Sequence, residues 1–107
     1  MDAKKHLQKA IQLNPDYSEA YYELGLLLKQ DGESDKALEH FQKAVALKSD
    51  FAEAECELAI MLQGNNDLES SRNHFLNSLE INPNYANAYF HYGLLLIELE
   101  DIEESKN

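Results

Sequence analysis

The sequence predicts an all-α fold, a solenoid of stacked antiparallel helical hairpins, and three observations carry that prediction. Amino-acid types recur every 34 residues: Tyr17, Phe51 and Tyr85; Ala20, Ala54 and Ala88; Gly25, Ala59 and Gly93; Leu7, Phe41 and Phe75; Leu13, Leu47 and Ile81. Apolar residues recur at helical spacing throughout, and no segment sustains the strict alternation of a half-buried strand. Turn-forming residues break the helical pattern at regular intervals. A fixed period of this size means that each unit is too small to bury its own apolar face and uses its neighbours instead.

Taken in order, Leu7, Ala10, Ile11 and Leu13 mark a first helix, stopped by Pro15, which cannot continue one. Ala20, Leu24, Leu27 and Leu28 mark a second; Ala37, Leu38, Phe41, Ala44 and Val45 a third; Ala54, Leu58, Met61 and Leu62 a fourth. Leu68, Phe75, Ser78 and Leu79 mark a fifth, and Ala88, Tyr92, Leu95, Leu96 and Leu99 a sixth. Asp31-Gly32, Gly64-Asn65-Asn66-Asp67 and Glu100-Asp101 are expected to separate the two helices of each hairpin, because Gly and Asn accept the left-handed conformation that ends a helix. Asn14-Pro15-Asp16, Lys48-Ser49-Asp50 and Asn82-Pro83-Asn84 are expected between hairpins. Asp16 with Glu19, and Asp50 with Glu53, have capping-box spacing and read as helix starts. Gly25, Ala59 and Gly93 are expected where the two helices of a hairpin approach closest, so that a larger side chain would force them apart.

With 107 residues, 44% of them hydrophobic, the chain has the apolar content for one domain. Its formal net charge of −11 is uneven. The first fourteen residues are basic (Lys4, Lys5 and Lys9 against Asp2), and everything after them is acidic. An acidic body repels phosphate backbones and anionic lipid, so neither nucleic acid nor a membrane is an expected partner. Cys56 stands alone, which excludes an internal disulfide and makes a reducing, cytoplasmic setting the expectation. Met1 is followed by a charged amphipathic stretch rather than an apolar one, so no signal peptide is expected. No stretch approaches the roughly 20 apolar residues of a membrane span.

The chain resembles a tetratricopeptide-repeat (TPR) array. The family pattern is an aromatic, two residues, Leu-Gly, two residues and Tyr, then Ala-x3-Phe and a closing Pro. The first full unit has Tyr21, Leu24-Gly25 and Leu28, then Ala37 and Phe41, with Ser49 at the Pro slot. The second has Glu55, Leu58-Ala59 and Leu62, then Ser71, Phe75 and Pro83; the third has Tyr89, Tyr92-Gly93 and Leu96, then Ser105. Before them, Ala3, Leu7 and Pro15 match the second half of a preceding unit. The departures collect in the second unit, where Glu55 replaces the aromatic and Ser71 and Ser78 replace Ala. The resemblance spans essentially the whole chain. It implies a right-handed superhelix forming one domain over 1–107, divided as 1–17 (second half of a repeat), 18–51, 52–85 and 86–107 (a partial repeat). This phase implies a slice of a longer array, with Leu7 and Ile11 at one end and Leu95 and Leu99 at the other lacking part of their cover.

The same resemblance implies a non-catalytic module that binds a peptide or helix of a protein partner in a groove lined by the first helix of each unit. Its groove slots fall on Glu19, Tyr22, Glu23, Leu26, Lys29 and Gln30; on Glu53, Cys56, Glu57, Ile60 and Gln63; and on Asn87, Phe90, His91, Leu94 and Ile97. Tyr22, Cys56 and Phe90 form one row, and Leu26, Ile60 and Leu94 another. Apolar rows edged by Glu19, Glu23, Glu53 and Glu57 suit an apolar or basic peptide. Two specialised uses of the family do not fit. Tyr22, Leu26, Glu57, Asn87 and His91 occupy the slots of the carboxylate clamp for chaperone tails, and Glu23, Glu57 and His91 those of the asparagine ladder of O-GlcNAc transferase arrays.

No catalytic constellation is present. Three histidines, His6, His40 and His74, repeat at 34 residues, but successive units stack roughly 10 Å apart. Zinc needs its nitrogen ligands within about 2.1 Å, so three equivalent positions cannot converge and no metal or cofactor is expected. Cys56 lies between Glu55 and Glu57, which raise a thiol pKa rather than activate it. No phosphate-binding Gly-rich loop, zinc-protease motif or serine elbow occurs. Two further readings accompany the binding module: a recruitment arm of a larger enzyme, and a scaffold that self-associates through its repeat ends.

Overall fold

The structure, a computed structural model, describes residues 2–105; Met1, Lys106 and Asn107, at the limits of the expected domain, lie outside the described residues. Six helices follow one another: α1 (Ala3–Leu13), α2 (Ser18–Gln30), α3 (Ser34–Leu47), α4 (Ala52–Gly64), α5 (Leu68–Ile81) and α6 (Ala86–Ser105). No strand occurs among the described residues. The most extensive pairings are α2 with α3 and α4 with α5, and these two hairpins are joined through α3 and α4. Helix α1 packs on α2 and α6 packs on α5, giving an elongated body of 54 × 28 × 20 Å.

The turns inside the two hairpins share one geometry. Gly32 has φ 82° and Asn66 φ 65°, and the residue after each donates its N–H back five residues: Glu33 to the Leu28 carbonyl and Asp67 to the Leu62 carbonyl, both at 2.9 Å. This is the left-handed helix ending that Gly and Asn tolerate. The third turn expected from the sequence does not form. Helix α6 runs straight through Glu100-Asp101 to Ser105. Glu100 stands 34 residues after Asn66, and a glutamate side chain opposes the left-handed backbone that the turn requires.

The helix starts also differ from expectation. Tyr17 and Phe51 occupy the N-cap positions of α2 and α4 and make no side-chain cap bond, so Asp16 and Asp50 lie one residue too early for a capping box. Asp16 instead donates its backbone N–H to Asn14 Oδ1 at 3.2 Å, and Asn84 does the same to Asn82 Oδ1. These side-chain turns hold the connections from α1 to α2 and from α5 to α6. A side-chain cap does exist on α1, where Asp2 accepts from the Lys5 N–H.

The core is segmented along the chain. One cluster joins Leu24, Leu28, Ala37, Phe41 and Leu58; a second joins Cys56, Ala59, Phe75, Ala88 and Leu95; a third, of Ala44, Phe51 and Ala54, lies at the joint of the hairpins. Phe41 and Phe75, one period apart, have no exposed surface. Fully burying a side chain of this size stabilises by about 1.5–3 kcal/mol. A Cβ added at Gly25 would stand 2.8 Å from the Phe41 ring, which explains the small residue there. Ala59 is fully buried in the equivalent place. A Cβ added at Gly93 would meet nothing within 4 Å among the described residues, none of which pack on that side of α6.

Candidate functional site

The residues expected to line the groove come from α2, α4 and α6, and the structure brings several into contact across these helices. Lys29 Nζ on α2 donates to Glu57 Oε2 on α4 at 2.8 Å, with both side chains half-buried. Asn87 on α6 approaches Cys56 Sγ on α4 at 3.9 Å. Leu26 packs on the cluster around Phe41, and Ile60 on the cluster around Phe75.

The row of Tyr22, Cys56 and Phe90 is graded rather than uniform. Tyr22 is half-buried, its ring 5.0 Å from Phe51 and 5.9 Å from Phe41. Burial, reinforced by nearby Glu57, pushes the Tyr22 hydroxyl well above its ordinary pKa. Cys56, expected in the lining, has no exposed surface. Burial, with Glu57 second, pushes its thiol up to about 12. Phe90 is 63% exposed and touches His91 edge-to-face at 5.1 Å. The second row is graded in the same direction, with Leu26 and Ile60 half-buried and Leu94 exposed.

Ile97 continues the exposed apolar strip of Phe90 and Leu94. Beside it, Ile60, Gln63, Gly64 and Asn66 of the α4 end face Glu98 and Ile102 of α6 across a hollow. The acidic residues divide. Glu23 and Glu53 are exposed and Glu57 is committed to Lys29. Glu19 accepts from Lys48 Nζ at 3.4 Å, and a backbone N–H at the start of α2, together with Lys48, holds its carboxyl below the ordinary range.

Sequence reasoning missed Lys48, Tyr85 and the pair Glu98–Ile102. Lys48 reaches Glu19 and also sits 4.9 Å over the Phe51 ring. Tyr85, at the start of the third unit, packs against the cluster of Cys56 and Phe75, and burial raises its hydroxyl pKa. Lys48 and Tyr85 lie in connections outside the helix slots from which the groove was read; Glu98 and Ile102 flank the turn expected at Glu100-Asp101.

The three histidines do not form one set. His6 Nδ1 donates to the Asp2 carbonyl at 2.9 Å and His40 Nδ1 to the Lys36 carbonyl at 2.8 Å, each one turn back on its own helix. His74 Nδ1 instead reaches across the hairpin to Glu55 Oε2 at 2.6 Å.

No helix among the described residues is long and apolar enough to cross a membrane. The tetratricopeptide repeat profile matches residues 6–39 and 74–107. The crystal structure of MamA superposes with a TM-score of 0.82 at 26% identity, over 92% of this chain and 57% of that one. A mutant of the Thermobaculum terrenum O-GlcNAc transferase gives 0.81 at 28% identity, over 88% of this chain and 18% of that one. YrrB, described as a TPR protein with an unusual peptide-binding site, gives 0.84 at 23% identity, over 92% of this chain and 50% of that one. No curated protein sequence matches the chain significantly. The chain thus corresponds to little more than half, or less, of each of these solved structures.

Proposed function

The chain belongs to the tetratricopeptide repeat family, and from that premise we propose that it is a non-catalytic module holding a basic, amphipathic peptide or helix of a protein partner against α2, α4 and α6. The observation that carries this reading is the strip of Phe90, Leu94 and Ile97 on α6, three large apolar side chains left open to solvent on one helix. Glu53 on the adjoining α4 and Glu23 farther along on α2 stand exposed and would meet basic side chains flanking an apolar anchor. Aromatic anchors dominate the energy of such contacts, so Phe90 carries the largest share. Tyr22 supports the floor from beneath through Phe41 and Phe51. The repeats at 18–51 and 52–85 supply the frame, and 86–107 supplies the anchor strip.

A panel of helical peptides sharing one apolar pattern, with either basic or acidic flanks, tests this by fluorescence anisotropy. Basic peptides are expected to bind and acidic ones to fail. The double variant Phe90→Ala with Leu94→Ala is expected to weaken binding at least tenfold while helicity stays unchanged, since both side chains are exposed. Undiminished binding by that variant overturns the assignment. Tyr22→Ala is an unsuitable probe because it also empties part of the core.

The similarity to the transferase over 88% of this chain and 18% of that one supports a second reading, a recruitment arm of a larger enzyme. The full-length sequence containing these residues decides it.

A further inference from the structure

The glutamate that breaks the aromatic pattern of the second unit is only half answered by its partner, and we propose that its free oxygen forms the floor of a site for the guanidinium of an arginine side chain carried by a protein partner. Glu55 stands in the slot that Tyr21 fills in the first hairpin, where the tyrosine ring lies 6.0 Å from that of His40. In the second hairpin Glu55 Oε2 accepts from His74 Nδ1 at 2.6 Å. Its other carboxylate oxygen, Oε1, has no hydrogen-bond partner among the described residues. Only 10% of the side chain is exposed, yet no buried side-chain oxygen among the described residues is left unpaired. Oε1 therefore keeps an opening, and that opening is a hollow of about 410 Å³ which Glu55 lines.

The rest of the lining comes from two elements. Ser49 lies in the connection between α3 and α4, and Asn77, Glu80 and Ile81 lie at the end of α5. Glu55 is buried, Ile81 half-buried, and Ser49, Asn77 and Glu80 are exposed, so one carboxylate sits at the floor and another at the rim. None of the five is basic, and the last turn of α5 has no basic residue to offset the negative end of the helix dipole. Lys48, beside Ser49 in the chain, is engaged elsewhere: its Nζ lies 3.4 Å from Glu19 Oε1 and 4.9 Å from the centre of the Phe51 ring. A nearly buried carboxylate oxygen without a donor is costly, and a cation entering the hollow offsets that cost.

The lining selects the kind of cation. No group of three or more His, Cys, Asp or Glu side chains among the described residues is placed to hold a metal ion. The hollow instead offers acceptors of several kinds: two carboxylates, an amide oxygen and a hydroxyl oxygen. A guanidinium carries five N–H donors in one planar fork and is more weakly hydrated than an ammonium, so it gives up its water more readily beside a nearly buried carboxylate. Ile81 offers an apolar wall for the methylene stem. Three of the five lining residues are exposed, so the hollow is too open to enclose a whole small molecule and fits the tip of a side chain whose remainder stays outside. It shares no residue with the lining of the groove on α2, α4 and α6, so the two sites can be probed separately.

Titration of the 107-residue chain with Nα-acetyl-argininamide, followed by NMR through the backbone amide resonances, tests the proposal. The resonances of Ser49, Asn77, Glu80 and Ile81 are expected to shift saturably while those of Phe90, Leu94 and Ile97 stay in place. The citrulline analogue, which has the same shape without the charge, is expected to shift none of them, and the lysine analogue to bind about threefold more weakly. Glu55→Gln is expected to weaken arginine binding about tenfold. Because that change also touches the His74 pair, Glu80→Gln, at an exposed position, gives a second reading: binding about threefold weaker with an unchanged thermal midpoint. A glycine-arginine-glycine peptide with blocked ends is expected to bind at least as tightly as the single residue. If the peptide fails where the single residue binds, the hollow belongs to a free small cation and the partner reading is overturned. Shifts produced equally by the citrulline analogue, by the lysine analogue or by calcium chloride at matched ionic strength overturn the proposal, as do shifts confined to the α6 strip. Binding unchanged in Glu80→Gln and in Glu55→Gln overturns it equally.

Discussion

Where α2 carries Tyr21, α4 carries Glu55; where α3 presents Ala37 and Ala44 to α2, α5 presents Ser71 and Ser78 to α4. The two hairpins share turns, lengths and a central phenylalanine, yet their helices are held together by different chemistry. In α2/α3 the contact is aromatic and small-residue packing, with the Phe41 ring pressed onto the bare backbone of Gly25. In α4/α5 every polar departure has a partner. Ser71 Oγ donates to the Ala59 carbonyl at 2.6 Å, Ser78 Oγ to the Ala52 carbonyl at 2.8 Å, and Glu55 is matched by His74. No buried side-chain nitrogen or oxygen among the described residues is left without a partner. The lesson is that a repeat slot tolerates a polar residue when the facing helix changes with it, because a buried polar group is costly only if unpaired.

Gly25→Leu should break the apolar hairpin outright. The new side chain meets Phe41 at a distance real atoms do not adopt, so a loss of about 3 kcal/mol is expected by denaturant unfolding. His74→Ala should strike the polar hairpin next hardest, at about 2–3 kcal/mol, because it leaves the Glu55 carboxylate buried and unpaired. His40→Ala, in the same slot of the other hairpin, loses the ring contact with Tyr21 and an exposed hydrogen bond to the Lys36 carbonyl, leaves no buried charge behind and should cost less than about 1 kcal/mol. Equal losses at His40 and His74 would erase the distinction drawn between the hairpins.

Ser71→Ala restores the residue of the apolar hairpin and removes one hydrogen bond, for an expected loss of about 1 kcal/mol. The alkaline limb gives a finer reading. Tyr22 and Cys56 hold one slot in the two hairpins, and both have pKa values raised by burial. In the folded chain they keep protons that the unfolded chain releases, so their contribution is intact below the ordinary thiol pKa of 9.0. It is lost as pH climbs from there towards about 12. The thermal midpoint should therefore fall across that window, and less steeply in Cys56→Ala; a flat midpoint there would count against the burial of both groups. The smallest effect belongs to Gly93→Leu, within about 0.5 kcal/mol of the parent despite occupying the slot that is intolerant at Gly25.

Much of this was legible in the sequence, through the period. The hairpins, the close approach at Gly25 and the breaks at Gly32 and Asn66 all follow from which residue types recur. What the period hides is pairing between rows. Glu55 reads as a flaw when its own row is scanned, and its answer, His74, lies in another row on another helix. A row also fixes a direction and not a depth: Tyr22, Cys56 and Phe90 share one slot, yet they run from half-buried through fully buried to open, because what covers each is different. Glu100-Asp101 reads as a turn by position alone, although Glu100, which stands at the left-handed position of Gly32 and Asn66, lacks their backbone freedom.

The cluster of Ala44, Phe51 and Ala54 occupies the joint between the hairpins, with Tyr21, Tyr22 and Val45 packed on it and Lys48 above the Phe51 ring. The two larger clusters are each centred on one hairpin, so this joint is where one stiff block meets the next. Its side-chain volumes therefore set the curvature and pitch of the array. Filling or thinning the joint at Phe51 would bend the molecule and change the span between the α2 and α6 surfaces, and on the α2 side it would also shift Tyr22, whose ring lies 5.0 Å from Phe51.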